Sequence, residues 1–342
     1  MNKKILSLLQ YLFFFGLGVF LVWWSVKKIS EDEWVNIKNA FLNARYWLIF
    51  PVITCMLLSH YSRAMRWRIL MEPLGYKPRV FNTYMAVLIG YFANLAFPRL
   101  GEVLKCTVLA RYEKVPADKL VGTIIAERAF DVLCLVVVVI ITVLTQVDVI
   151  GSFISQLLGS AVHSKTSGFT FNKLLVLAGI LGAVFLLLVF VFRVFAHVNF
   201  IQKMKKVFIS IWKGITSIRY VQHKGWFIFH TVFIWCMYLM GILLGMYALK
   251  ETSAYGINES LSVLTTGSFA MIVPTPGQGF GVYPYFVMKT MLLYNLEESL
   301  GFAFGWLMWS VQFFIILLGG FVALLLIPYY NKKRTDEKSG HH

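Results

Sequence analysis

Six apolar runs decide what this chain can become: 5–26, 46–66, 124–146, 172–195, 226–249 and 301–327. A run of about 20 apolar residues crosses the ~30 Å hydrocarbon layer of a bilayer as one helix. Hydrophobic residues make up 58% of the chain and charged residues only 14%. Soluble domains average about 45–50% and roughly 25%. So much apolar surface does not fit inside one soluble core of 342 residues, so lipid must cover part of it. A soluble enzyme and a secreted disulfide scaffold are excluded. A β-barrel would show short alternating strands instead. Cys55, Cys106, Cys134 and Cys236 lie far apart, without zinc-ligand or CxxC spacing, and read as small reduced core residues. The first run follows Lys3 and Lys4 and has no small-residue cleavage site, so it reads as a retained helix. The expected organisation is one transmembrane domain over 1–330 and a basic cytoplasmic tail over 331–342. The closing Ser339-Gly340-His341-His342 reads as a tag remnant.

Two further apolar stretches are interrupted. The stretch 80–97 ends in Phe97-Pro98-Arg99-Leu100-Gly101-Glu102, and 260–295 is broken by Pro274-Thr275-Pro276-Gly277-Gln278-Gly279-Phe280-Gly281. Proline removes a backbone donor and glycine frees the chain. At membrane depth such a break needs protein or a wet cavity around it. Basic residues favour cytoplasmic loops. With the N-terminus inside, the best charge distribution makes 80–112 and 260–295 re-entrant hairpins, entering from opposite faces. The C-terminus is then cytoplasmic too, and 24 of the 32 Lys and Arg lie on that side. The expected fold is therefore an all-α integral membrane protein with six full spans and two re-entrant helical hairpins. Each hairpin sits between two spans, which implies an inverted repeat with a transport site between its halves. The alternative is eight ordinary spans, two of them kinked by proline.

Charges near these breaks are the candidate site. Glu102 and Lys105 are i,i+3 neighbours if 101–112 is helical. A helix starting at the Pro98-Arg99-Leu100-Gly101 turn presents N–H groups to an anion, and Arg99 adds a fork for phosphate. A merely basic surface loop is the competing reading. Glu127 and Asp131 are i,i+4, and Arg128 reaches Asp131 at i,i+3. Charges this close to a span are costly unless paired or wet. Direct substrate contact and a salt-bridge lock, drawing on Arg63, Arg99 or Lys105, are both open for this group. Arg66 and Arg68 read as an interfacial belt with Trp67 as anchor, while Arg63 is open to a deeper role. The tip residues Pro274, Pro276, Gly277, Gly279 and Gly281 suit a close backbone approach to a ligand or to the other hairpin. Their G-x-G-x-G lacks the strand that a dinucleotide site needs. No metal-ligand spacing, P-loop, nucleophile elbow or kinase motif occurs, so neither metal nor cofactor is expected. The positive charge is explained by short loops, without nucleic acid.

The ordered set Asn94-x-x-x-Pro98-Arg99-x-Gly101-Glu102-x-x-Lys105, Glu127-Arg128-x-x-Asp131 and Pro274-x-Pro276-Gly277-x-x-x-Gly281 resembles the lysylphosphatidylglycerol synthase transmembrane, or flippase-like, domain family. This is the membrane half of multiple peptide resistance factors. Lys105 keeps the charge where that family more often has arginine, and Gln278 replaces a glycine. The resemblance implies a translocase of the bacterial inner membrane that moves an anionic or aminoacylated phospholipid between leaflets. Arg63, Arg99, Glu102, Lys105, Glu127, Arg128 and Asp131 would form its substrate site. Any synthase activity would belong to a separate partner polypeptide, and a homodimer is a further expectation. The rivals are a membrane-embedded lipid or glycosyl transferase and a scaffold for a separate synthase.

Overall fold

The computed structural model describes residues 3–27, 29–147, 149 and 217–339, and the run 172–195 lies outside them. The described residues are helical, with no strand among them. α1 (Lys3–Val26) leads into a short α2 (Glu31–Leu42), which starts at a capping box: Ser30 Oγ accepts from the Glu33 N–H, and Glu33 accepts from the Ser30 N–H. α3 (Ile49–Met71), α6 (Ala117–Thr145), α7 (Lys224–Met246) and α10 (Glu298–Ser339) are the long helices that follow. Three described segments are apolar and long enough to cross a bilayer alone: Tyr46–Leu74, Lys224–Met246 and Glu298–Lys332. α6 has 29 residues, about 43 Å at 1.5 Å per residue. Val136, Ile140 and Leu144 on α6, and Phe314, Leu318, Phe321 and Leu325 on α10, face outward. Exposed apolar rows of this extent suit lipid contact.

The first broken stretch is a helical hairpin. α4 (Val80–Ala96) stops at Phe97, whose backbone is extended, and α5 (Leu100–Glu113) starts after Arg99 at φ 69°. Asn82 bonds Glu113 at the base, and Asn94 bonds the Gly101 N–H near the tip, so the two helices run antiparallel. They meet closely: a Cβ on Gly101 would lie 2.0 Å from the Gly90 oxygen. α4 and α5 have 17 and 14 residues, about 26 and 21 Å, each short of a full ~30 Å crossing. The second hairpin is α8 (Ile257–Ile272) and α9 (Val282–Leu292), joined by a turn through Pro276–Gly279. Ser262 bonds Tyr294 and Thr266 bonds Thr290, which sets the same antiparallel pairing.

Packing repeats between the halves. α3 packs on α4, α4 on α5, α5 on α6 and α6 on α8; α7 packs on α8, α8 on α9, α9 on α10 and α10 on α4. Exchanging α3, α4, α5, α6 with α7, α8, α9, α10 returns the same set of contacts. The pair α3 and α7 runs antiparallel, with Arg45 bonded to Ala248 at one end and Ser62 to His230 further along. Two like units of opposite direction thus share the α3/α7 seam, the inverted repeat that the hairpins imply. Each long helix closing one unit packs on the hairpin of the other.

Two sequence expectations change. Cys106 is buried, but Cys236 is exposed and Cys55 and Cys134 only half-buried, although all four are free. In a membrane protein an apolar position faces lipid as readily as a core. Arg66 is not part of an interfacial belt; it is completely buried.

Candidate functional site

The buried charges converge where α3, α5 and α6 meet. Arg63 Nη1 donates to Glu127 Oε1 and to Asp131 Oδ2, both at 2.7 Å, and its Nη2 donates to the Tyr238 hydroxyl on α7 at 3.2 Å. Arg66 Nη2 donates to Asp131 Oδ1 at 2.5 Å. Lys105 Nζ donates to Glu127 Oε2 at 2.9 Å and sits 4.6 Å over the Trp67 ring. The Trp67 indole is itself fixed by a 2.8 Å bond to Thr123. Helical spacing explains the match. Arg63 and Arg66 lie one turn apart on α3, as do Glu127 and Asp131 on α6, so two bases meet two acids across the helix pair. Buried ions need such pairing, because removing charge from water costs several kcal/mol per ion.

Arg128 stands apart from this core. Its guanidinium lies 3.3 Å from Glu102 Oε1 and 3.7 Å from Asp131 Oδ2, and its side chain is 44% exposed. It faces a cavity of about 550 Å³ bounded by both hairpins and by α3, α6, α7 and α10. Cavities of ~300–1,000 Å³ are the usual size for small-molecule sites. One wall is polar, with Arg63, Arg99, Glu102, Arg128 and Asp131. The other is largely apolar, with Met56, Ile242, Leu264, Met308 and Ile316 among its residues. Among the described residues the acids paired with Arg63, Arg66, Lys105 and Arg128 are Glu102, Glu127 and Asp131, leaving one surplus positive charge. Arg99 also lines the cavity and makes no ion pair among the described residues.

Thus the site residues from sequence divide. Glu102, Arg128 and Asp131 reach the cavity, and so do Arg63 and the exposed Arg99. Lys105 and Glu127 do not line it; they form the lock behind it together with Arg63 and Arg66, which belongs to the same network. Arg99 takes no part in that lock. The Gly101 N–H is not free for an anion, because Asn94 Oδ1 takes it at 2.7 Å as α4 and α5 close on each other. Pro98 and Pro274 line the cavity, while Pro276 and Gly279 are buried in the second tip.

That second tip touches the first hairpin. Gln278 Nε2 donates to the Tyr91 carbonyl on α4 at 2.8 Å. Trp309 Nε1 holds the carbonyls of Gly277 and Gln278 at 3.2 Å each. Gly277, Gln278, Gly279 and Gly281 all have positive φ. At Gly281 the need for glycine is doubled, since a Cβ there would sit 2.2 Å from the Gly18 oxygen of α1. Spacing did not reveal Tyr91, Trp235 or Tyr238, which belong to the cavity wall. Aromatics are so common here, 16% of the chain, that none stands out in the sequence.

The fold and the site together define a helical membrane protein of several spans whose two broken hairpins flank a charged internal cavity. A family model described as "Lysylphosphatidylglycerol synthase TM region" matches residues 7–332, and the chain belongs to that family. It is also similar to the UPF0104 membrane protein MJ1595 of Methanocaldococcus jannaschii, with 24% identity over 315 residues covering 85% of each chain. No solved structure matches it.

Proposed function

We propose that this protein is a lipid translocase that carries the headgroup of a phosphate-bearing lipid between the leaflets of a bacterial cytoplasmic membrane. The observation that carries this reading is the cavity between the two hairpins, with surplus positive charge on one wall and apolar residues on the other. Phosphate relieves that charge, and the apolar wall tolerates acyl chains. Arg128 is the main phosphate contact, with Arg99 beside it, because these are the two cavity cations outside the buried lock. Glu102 orients Arg128, and Asp131 ties that pair to α3. The inverted repeat supplies the motion: two like units can exchange roles, so that the cavity faces each leaflet in turn. Both termini lie in the cytoplasm on this reading, as the basic loops require. The family description supports a role in lipid metabolism or transport.

The test is reconstitution into liposomes containing phospholipids fluorescently labelled on an acyl chain. Dithionite added outside measures transfer between leaflets. Wild type should move a phosphate lipid faster than empty vesicles and return it chemically unchanged, and Arg128→Ala should fall to background. A wild-type rate equal to that of empty vesicles would sink the reading, and a chemically altered lipid would favour a transferase.

A further inference from the structure

An outward stripe on α6 contains a charge. Val121, Ile125, Arg128, Val132 and Val136 follow one another every three or four residues, so they share one face of the helix, and all five are exposed. From Val121 to Val136 the stripe runs for about 22 Å at 1.5 Å per residue. Val121, Ile125 and Val136 take no part in the cavity wall, whereas Arg128 and Val132 line it. Residues that belong both to an outward stripe and to the cavity wall mark where the cavity breaks through the surface. Among the described residues, the exposed ones on that wall are Arg99, Arg128, Val132 and Ile272. They come from the first tip, from α6 and from the end of α8, so these three elements frame the mouth.

The rim of this mouth is apolar. Phe97, Val103 and Phe269, close in the chain to Arg99, Glu102 and Ile272, are exposed as well. The mouth therefore interrupts a surface suited to lipid rather than to water. Arg128 is the exception in the stripe. Its pairs with Glu102 and Asp131 offset part of the cost of a charge at the bilayer surface, but its side chain stays 44% exposed and the cluster keeps a surplus cation. An anionic headgroup entering from the membrane supplies the remaining counter-charge. The cavity of about 550 Å³ has the size of a small-molecule site, which suits a headgroup rather than a whole lipid with two acyl chains.

We propose that the cavity opens sideways into the bilayer between the first tip, α6 and the end of α8. The acyl chains of the lipid lie in this mouth against Val132 and Ile272 while its phosphate reaches Arg128. The site thus takes phosphate lipids without regard to chain length, because the chains remain in the membrane. This rests on the reading of the cavity as the lipid path.

The test is photolabelling of the full chain in a maltoside detergent with a phosphatidic acid that carries a diazirine within one acyl chain. A diacylglycerol with the same chain presents tails without phosphate, and mass spectrometry of peptides locates the adducts. Phosphatidic acid should label 97–103, 121–136 and 269–272 about tenfold more than the outward row 314–325 of α10, the worth of one hydrogen bond to a charged group. The diacylglycerol should label both regions alike, and Arg128→Ala should reduce phosphatidic acid to the same even pattern. In liposomes, Val132→Trp and Ile272→Trp should each slow transfer severalfold. Val137→Trp, at an exposed position of α6 outside the stripe and the cavity, should not. Equal labelling of the α10 row by phosphatidic acid, a preference that survives in the diacylglycerol or in Arg128→Ala, or wild-type transfer in both tryptophan variants overturns the mouth. The two readings fail separately. The phosphate-dependent pattern without transfer by wild type overturns translocation alone. Transfer by wild type with evenly spread labelling overturns the mouth alone.

Discussion

Glu127 accepts Lys105 at 2.9 Å on one carboxylate oxygen and Arg63 at 2.7 Å on the other, so a single fully buried side chain fastens α5 and α3 to α6. This relationship predicts a stability effect rather than a specific loss of binding. Glu127→Ala strands the buried Lys105 and takes one of two carboxylates from Arg63, and should destabilise the protein by about 3–5 kcal/mol. A lowered unfolding midpoint in detergent would register it. Adding Lys105→Met to Glu127→Gln should recover part of the loss, since one stranded charge is then gone. An unchanged midpoint for Glu127→Ala would show that the lock does not hold the fold.

Arg128 should behave in the opposite way. Its side chain is 44% exposed, and its pairs at 3.3 and 3.7 Å are longer than the 2.5–2.9 Å hydrogen-bonded pairs of the lock. Partly exposed pairs contribute about 0–1 kcal/mol. Arg128→Ala should therefore leave the unfolding midpoint within about 1 kcal/mol of wild type while abolishing transfer in liposomes. A variant that unfolds as readily as Glu127→Ala would place Arg128 in the lock instead.

Three glycines separate close approach from mere helix propensity. A Cβ at Gly101 would press on the Gly90 oxygen, and one at Gly281 would press on the Gly18 oxygen at a backbone with φ 71°. Alanine at either position should cost about 1–3 kcal/mol. Gly122 on α6 has nothing within 4 Å of such an atom, so Gly122→Ala should instead stabilise by about 0.5–1 kcal/mol. Unfolding midpoints of the three variants check the order. Gly101→Ala as stable as Gly122→Ala would contradict the tight hairpin.

The start of α2, outside the spans, should respond to pH. The backbone N–H of Ser30 donates to Glu33 at 2.6 Å and the Ser30 hydroxyl adds a second bond, which together hold the Glu33 carboxyl below its ordinary value. A depressed carboxylate stabilises above the unfolded value, about 4.3, and that contribution is lost as pH falls through the lower folded value. Amide exchange at the first turn of α2 should accelerate only below the ordinary carboxylate range. Ser30→Ala should cost about 1 kcal/mol at neutral pH. Titration of Glu33 at its ordinary value would remove this account.

The spans and breaks were readable because they depend on local chemistry. Runs 46–66, 226–249 and 301–327 coincide with helices long and apolar enough to cross a membrane. Pro98 and the Pro274–Gly281 segment end helices where proline removes donors and positive φ favours glycine. Even the pairing partners were half visible, since Arg63 and Arg66, like Glu127 and Asp131, stand one turn apart. Which charges face the cavity and which are locked away was not readable. Arg66 meets Asp131 from 65 positions away, and the Gly101 N–H is capped by Asn94 rather than left open. Both outcomes depend on how each helix is rotated about its own axis and how closely its neighbour packs. Rotation and approach are set by the packing of the two opposed units together, and no single stretch of chain encodes them.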